Sequence, residues 1–135
     1  MIGALLRMPA DAVRRRMLER LRAHGFDGLE AAHLNVFQYP GPEGARPSEL
    51  AAELGMSKQA LNYMLGELER LGYLERLPDP ADTRSKRIAL TARGSAAVKA
   101  MLDAVRAVEH DWRRQLGAKE FEQLRTLLLD LNDRL

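Results

Sequence analysis

The sequence predicts a mainly α (α+β) fold, in which two short helices and a β-hairpin are flanked by longer helices. Three observations carry this prediction. Apolar residues repeat at helical spacing on both sides of Gly55, the spacing becomes strand-like between Tyr73 and Leu90, and long helical apolar stripes lie towards both ends of the chain. The order helix, turn, helix, hairpin is that of a winged helix-turn-helix.

The first helix of this motif is followed by residues that favour a tight turn. Leu50, Ala51 and Leu54 recur on one face of a helix. Gly55 then frees the backbone for a turn, and Ser57 offers its hydroxyl as the N-cap of a second helix. We therefore predict two helices held at a fixed angle by a short connection.

The second helix carries a continuous apolar stripe. Its core-facing residues recur every three or four positions and are Leu61, Met64, Leu65, Leu68 and Leu71. Met56, just before the cap, is placed to pack against Leu61 as a hydrophobic staple. Gly72 follows the stripe and is expected to cap the C-terminus of the helix.

The opposite face of the second helix is polar in its first turns. Lys58, Gln59, Asn62 and Tyr63 project there, and the last three are hydrogen-bonding side chains suited to base edges. Recognition helices present their N-terminal residues to the major groove of DNA, so this face is a candidate reading surface. The alternative is that these residues form only the solvated face of an amphipathic helix.

The hairpin that follows is predicted to have two short strands and a polar tip. Residues 74–77 and 86–90 are the strands, and residues 78–85 form an irregular tip that contains two prolines. Asp82 lies two positions before Arg84 and is expected to orient its guanidinium, which suits a narrow minor groove. The alternative is a solvated pair of turn residues.

Four stretches of the chain resemble a known family. Residues 50–55, 68–74, 79–84 and 90–94 match its pattern, and Asp-x-x-Asp-x-Arg followed by Leu-Thr-x-x-Gly is the most specific part. They resemble the MarR family of winged-helix transcriptional regulators, and the resemblance extends over the whole chain.

The family resemblance implies roles for individual residues. By this resemblance Arg84 would enter the minor groove and Asp82 would orient it. The residues implied to face the major groove and the adjacent phosphates are Ser57, Lys58, Gln59, Asn62 and Tyr63.

Net charge is a weaker indicator than its distribution. The chain has 21 Lys and Arg against 19 Asp and Glu, a formal net charge of +2. A local excess lies in residues 76–93, whose basic members are Arg76, Arg84, Lys86, Arg87 and Arg93 and whose acidic members are Asp79 and Asp82. With Lys58 and the helix N-termini, this wing segment is expected to attract phosphates. Five arginines in residues 14–22 are interpreted as a solvated helix face, with phosphate contact as the less favoured alternative.

Three apolar stripes flank the winged-helix segment. They comprise Val13, Met17 and Leu21 after Ile2, Leu5, Leu6 and Met8; then Val98, Met101, Leu102, Val105, Val108 and Trp112; and finally Phe121, Leu124, Leu127, Leu128, Leu131 and Leu135. One small winged helix cannot cover all of them, so we expect a homodimer. Residues 1–135 are assigned to one domain, with a DNA-binding lobe at about 29–93 and dimerisation helices at 1–28 and 94–135. Twofold symmetry then predicts a pseudo-palindromic operator.

Several classes of protein are not supported by the sequence. No run approaches the ~18 consecutive apolar residues of a membrane span, and Met1 to Met8 is too short for a signal peptide, so we expect a cytoplasmic protein. The absence of cysteine excludes disulfides and thiolate chemistry. The three histidines, His24, His33 and His110, lack metal-ligand spacing, and Glu30 with His33 is interpreted as a structural pair. We predict no enzymatic activity, no cofactor and no metal.

The function expected from these observations is sequence-specific transcriptional regulation by a DNA-binding dimer, most simply a repressor. The resemblance implies release by a small aromatic or anionic ligand between the dimerisation helices and the DNA-binding lobe. Candidate contacts are Phe37, Tyr39, His24 and Trp112, although a role in the core is the stronger interpretation of each. Two alternatives stay open: an architectural winged helix without sequence preference, and a protein-interaction winged helix without DNA binding.

Overall fold

A computed structural model describes residues 1–37 and 41–135. The elements are α1 (Ile2–Ala23), α2 (Ala31–Leu34), a 3₁₀ turn (Asn35–Phe37), α3 (Pro47–Leu54), α4 (Lys58–Arg70), β1 (Leu74–Asp79), β2 (Asp82–Leu90), α5 (Ala92–Leu116) and α6 (Ala118–Asn132). The predicted order of helix-turn-helix and wing between long helices is confirmed. Tyr39, one of the candidate ligand contacts, lies outside the described residues.

The core of the winged helix is built on the apolar face of α4. Leu61, Leu65 and Leu68 are buried against Leu50 and its neighbours from α3 and the wing. The predicted stripe is confirmed, with its remaining members Met64 and Leu71 half-buried at its margins.

The connection between α3 and α4 has the predicted local chemistry. Gly55 adopts the left-handed conformation, with φ 63° and ψ 28°, and ends α3. The Ser57 hydroxyl accepts a hydrogen bond from the Ala60 backbone N–H at 3.0 Å, and this N-cap begins α4. The angle between the two helices is therefore set by residues that lie next to each other in the sequence.

The end of α4 is closed by a Schellman motif. Gly72 has φ 85°, its N–H donates to the Glu69 carbonyl at 3.0 Å, and the Tyr73 N–H donates to the Leu68 carbonyl at 2.9 Å. The chain leaves this motif directly into β1, so α4 and the wing are rigidly connected.

The Thr91–Gly94 segment joins the wing to α5. Thr91 caps α5 by accepting from the Gly94 N–H at 3.0 Å, and its hydroxyl donates to the Gly72 carbonyl at 2.5 Å. A Cβ at Gly94 would lie 1.9 Å from the Tyr73 carbonyl oxygen. The glycine of the Leu-Thr-x-x-Gly pattern is therefore required because α5 packs closely against the residue that follows the end of α4.

The wing is longer and its tip shorter than the sequence predicted. The strands pair antiparallel from Leu74 opposite Leu90 to Pro78 opposite Lys86, with an irregularity before Asp79. The predicted strands 74–77 and 86–90 and tip 78–85 were wrong in extent, because the strands continue to Asp79 and from Asp82. Pro78 is tolerated since each strand of a two-stranded hairpin has one edge that needs no partner.

The long helices differ in how much of their apolar surface they bury. The buried residues of α5 are mainly small, and they are Gly94 near Tyr73 followed by Ala97, Ala100, Met101, Ala104 and Val108 along a helix that packs against α1. Leu102 of the predicted stripe is exposed in the single chain, whereas the alanines of this face allow α1 to approach closely. In α6 only Phe121 is buried. No helix within the described ranges is long and apolar enough to span a membrane.

Candidate nucleic-acid interface

The polar face of α4 and the wing meet in a cleft. The residues that line it come from the start of α3, from α4 and from β2, and are Arg46, Pro47, Ser48, Lys58, Asn62, Ser85 and Lys86. We refer to this as the α4–wing cleft. Three residues predicted to bind DNA, Lys58, Asn62 and Lys86, are therefore brought together by the fold although they are up to 28 positions apart (86 − 58).

The other predicted residues of α4 lie beside this cleft. Gln59 is exposed one position after Lys58, and Tyr63 is 71% exposed in the next turn. Ser57 is exposed at the N-terminus of α4, where its hydroxyl is already engaged as the cap. Together they extend the polar face of the helix beyond the cleft.

The wing tip differs from its predicted arrangement. Asp82 accepts hydrogen bonds from the Arg84 backbone N–H at 3.0 Å and from the Ser85 hydroxyl at 3.1 Å. Neither contact involves the Arg84 guanidinium, so the expectation that Asp82 orients this group is corrected: the carboxylate shapes the backbone of the tip. The guanidinium has no hydrogen bond or ion pair to any residue in the described parts of the chain, and Arg84 is exposed.

Asp79 is a structural centre of the wing that the sequence reasoning did not identify. Its side chain is buried, and its carboxylate accepts hydrogen bonds from Arg46 Nε at 2.7 Å and from the Ala81 backbone N–H at 2.9 Å and forms an ion pair with Arg87 Nε at 3.0 Å. The Ala81 hydrogen bond and the two arginines lower the pKa of the Asp79 carboxyl from 3.8 to about 2, although burial opposes this shift. The Asp-x-x-Asp-x-Arg pattern contained the signal, but only the fold brings Arg46 to it.

Arg76 is a second residue whose role was missed. It was counted among the wing residues that attract phosphates, but its Nε donates to Glu69 at 2.5 Å and its Nη1 to Asn62 Oδ1 at 3.1 Å. Arg87 is likewise paired, with Asp79, and the Arg93 guanidinium lies 4.9 Å from the centre of the Tyr73 ring. Most cations of this segment thus have partners within the protein, and Arg84 and Lys86 are its exposed cations without an ion pair, hydrogen bond or aromatic contact in the described parts of the chain.

The remaining candidates have structural or solvated positions. His33 is buried, accepts from the Glu30 backbone N–H through Nδ1 at 3.0 Å and lies 3.4 Å from Glu67 through Nε2. This confirms the structural interpretation of Glu30 and His33. Within the described parts of the chain, no cluster of three or more His, Asp or Glu is arranged to hold a metal ion.

The basic face of α1 is paired mainly with acidic residues. Arg16 and Arg20 form ion pairs with Asp111 and Asp103 of α5, at 3.4 and 3.9 Å, and Arg14 pairs with Asp11 at 3.5 Å. These contacts agree with the favoured interpretation of this region as a solvated helix face, since three of its five guanidinium groups have partners within the protein and the other two, of Arg15 and Arg22, are exposed.

Two of the curated relatives of this chain are transcriptional regulators. Residues 24–85 match the MarR family model. The HTH-type transcriptional regulator PecS of Dickeya dadantii is 31% identical over 87 residues, which are 64% of this chain and 52% of PecS. The transcriptional repressor MprA of Escherichia coli is 27% identical over 115 residues, 85% of this chain and 65% of MprA. The chain thus spans about half to two thirds of the length of these relatives.

Solved structures match the flanking helices as well as the winged helix. Wild-type MarR of E. coli in its apo form superposes with a TM-score of 0.72 at 28% identity, over 97% of this chain and 96% of that one. A mutant MarR of E. coli complexed with operator DNA gives a TM-score of 0.72 at 27% identity, over 96% and 92% of the two chains. The order of elements, the wing motif and these matches agree: the chain has the fold of the MarR family of winged helix-turn-helix transcriptional regulators and matches the sequence model of that family over residues 24–85.

Proposed function

We propose that this protein is a homodimeric, sequence-specific DNA-binding repressor that a small ligand releases from its operator. The observation that carries the proposal is the α4–wing cleft, where Lys58 and Asn62 of α4 lie beside Lys86 of β2. A helix that presents such side chains from its first turns can enter a major groove, with lysines at its margins for the phosphates. The related mutant MarR of E. coli is described in complex with operator DNA, and MprA is described as a transcriptional repressor.

Each predicted contact residue has a place in this proposal. Gln59, Asn62 and Tyr63 contact base edges, and Ser57 and Lys58 lie close to the phosphates at the helix N-terminus. The guanidinium of Arg84, which has no partner in ranges 1–37 and 41–135, enters the neighbouring minor groove from the wing tip, whose backbone is shaped by Asp82.

In this proposal, a second copy of the chain covers the apolar surface that the flanking helices leave exposed. The start of α1, Trp112 of α5 and α6 form one apolar concavity, lined by Ile2, Leu5, Leu6, Pro9, Ala10, Val13, Trp112, Leu124, Leu127, Leu128 and Leu131. Many of these side chains are exposed in the single chain, and an apolar surface of this extent favours association. Residues 1–28 and 94–135 would then be the dimerisation helices, and residues 29–93 the DNA-binding lobe. Twofold symmetry places the two copies of α4 about 34 Å apart, one turn of a duplex, on a pseudo-palindromic operator.

The ligand is proposed to bind where the two regions of the chain meet. A cavity of about 270 Å³ lies between α1 and the segment formed by α2 and the 3₁₀ turn, lined by Ala10, Val13, Arg14, Met17, Leu34 and Phe37. Its apolar walls with one arginine suit a small aromatic anion. The ligand must bind the DNA-incompetent arrangement more tightly, by a few kcal/mol, to release the operator. Trp112 lies in the apolar concavity instead, and His24 is exposed.

One titration tests the central claim. Fluorescence anisotropy of the purified protein on the DNA upstream of its own gene, at near-physiological salt and with excess nonspecific DNA, should give tight binding at two subunits per site. Binding that the competitor removes would favour an architectural DNA-binding protein. Absence of binding even at low salt would favour a protein-interaction winged helix.

A further inference from the structure

Arg76 of β1 lies across α4 and contacts two of its residues. Its Nε donates to Glu69 Oε1 at 2.5 Å, and its Nη1 donates to Asn62 Oδ1 at 3.1 Å. Its Nη2 lies 3.4 Å from the Asn62 backbone carbonyl oxygen. The ion pair with Glu69 therefore holds a guanidinium beside the Asn62 side chain.

The guanidinium decides which end of the Asn62 amide faces it. Every hydrogen-bonding group of arginine is a donor, so only the amide oxygen can accept from Arg76. Asn62 Nδ2, which carries two N–H donors, is left without a hydrogen bond to any residue in ranges 1–37 and 41–135. An amide that would otherwise rotate between two orientations is thus held in one.

We propose that Arg76 is a specificity-determining residue, which sets Asn62 to donate hydrogen bonds to the acceptor edge of guanine. The inference rests on the proposed function, because it requires α4 to lie in the major groove. Guanine presents two acceptors there, O6 and N7, whereas adenine presents one acceptor and one donor. A bidentate contact of a side-chain amide with adenine requires both the amide oxygen and the amide nitrogen at the base edge. At Asn62 the amide oxygen already accepts a hydrogen bond from Arg76.

The charges around Asn62 favour the same choice. Asn62 lines the α4–wing cleft with the exposed cations Lys58 and Lys86, and Arg76, which is paired with Glu69, holds its N–H donors at the Asn62 amide oxygen. Positive groups attract the acceptor atoms of a base edge and disfavour its amino donors. Guanine is the base whose major-groove edge carries acceptors only.

Gln59 provides an internal comparison on the same helix face. Its side chain has the same amide group and makes no hydrogen bond to any residue in the described portion of the chain. Because neither end of its amide is held, the base that Gln59 prefers should not depend on Arg76.

Selection of binding sequences from randomised duplexes tests the inference. The full-length wild-type protein and Asn62→Ala are compared, and the base pair whose discrimination is lost in Asn62→Ala is the one that Asn62 reads. We expect guanine there. Adenine at that position overturns the inference while leaving the proposed function intact, whereas the absence of any enriched sequence overturns the proposed function and this inference with it.

Two further variants separate orientation from folding. In Arg76→Met the donors are removed, so the preference for guanine over adenine at the Asn62 position should fall about five- to tenfold, with the Gln59 position unchanged. An unchanged ratio in a folded Arg76→Met protein, checked by circular dichroism, overturns the inference. Asn62→Asp keeps an oxygen for Arg76 and replaces the two donors by an acceptor, so the preference should move from guanine to cytosine. Retention of guanine by Asn62→Asp also overturns it, whether or not Arg76→Met folds.

Discussion

Arg46 at the N-cap of α3 donates its Nε to the carboxylate of Asp79 at the end of β1, across 2.7 Å and 33 residues of sequence. Arg87 of β2 binds the other carboxylate oxygen at 3.0 Å. One buried carboxylate therefore joins the start of α3 to both strands of the wing. Because these elements border the α4–wing cleft, the ion cluster also sets the position of the wing relative to α4.

Asp79→Asn should lower both the melting temperature and the affinity for operator DNA. The amide removes the countercharge of two arginines, one of which lies at the N-cap of α3, so the wing loses its fixed position. Thermal unfolding and anisotropy on the selected operator measure the two effects. Asp130→Asn is the matched control, since Asp130 forms an exposed ion pair with Arg134 and its loss should change neither quantity appreciably.

The contribution of Asp79 to stability should disappear at acid pH. Its pKa is lowered from 3.8 to about 2 in the folded protein, so the stabilisation is complete above pH 3.8 and is lost as the pH falls through about 2. Denaturant unfolding of the wild type and Asp79→Asn should therefore give a difference in unfolding free energy that narrows between pH 4 and pH 2. A constant difference over that range would contradict the assignment of the ionised carboxylate to the ion cluster.

Gly94→Ala should destabilise the protein by about 2 kcal/mol or more, because its Cβ would lie 1.9 Å from the Tyr73 carbonyl oxygen. Gly66→Ala is the control: its Cβ meets nothing within 4 Å inside α4, so alanine should stabilise the helix by about 0.5–1 kcal/mol. Chemical denaturation of both variants measures these changes. Equal stability of the two would show that α5 does not approach Tyr73 as closely as described.

Arg84→Ala should weaken operator binding about tenfold and leave the melting temperature unchanged. The guanidinium has no partner in the described parts of the chain, so its removal breaks no contact within the protein. In the DNA complex, by contrast, the variant would lack a minor-groove interaction that the wild type makes. Anisotropy at several salt concentrations should also show a salt slope smaller by about 1. Lys119→Ala, which removes an exposed cation of α6, should alter neither the affinity nor the slope.

Leu127→Asp should convert the proposed dimer to a monomer and reduce operator affinity by at least a hundredfold, as each half-site is then bound alone. Leu127 is 67% exposed in the single chain, so the change leaves the core of the monomer intact. Sedimentation equilibrium measures the assembly state. Leu77→Asp is the control, because it introduces the same charge at an exposed leucine of the wing and should remain dimeric. A Leu127→Asp protein that is still dimeric would show that the dimer interface does not include Leu127.

Local features of the sequence predicted most of the winged helix. The stripe of α4, the turn at Gly55, the Ser57 cap and the closure at Gly72 depend on side chains and backbone groups only a few residues apart. Periodicity also located the long helices, but it did not identify Ala97, Ala100 and Ala104, the small residues that α5 buries where α1 approaches closely. Spacing reveals a helix, whereas the distance to the neighbouring helix decides which size of side chain is buried.

What the sequence alone determined is therefore the order of the elements, their caps and the polar face of α4. The tertiary structure decided which charges are available at the candidate site. Arg76 and Arg87 looked like phosphate ligands, but Glu69 and Asp79 engage them, and Asp82 shapes the backbone rather than holding Arg84. The reason is physical: helix caps and turns form between near neighbours in the chain, whereas an ion pair forms wherever the fold places opposite charges within about 4 Å, however far apart they lie in sequence.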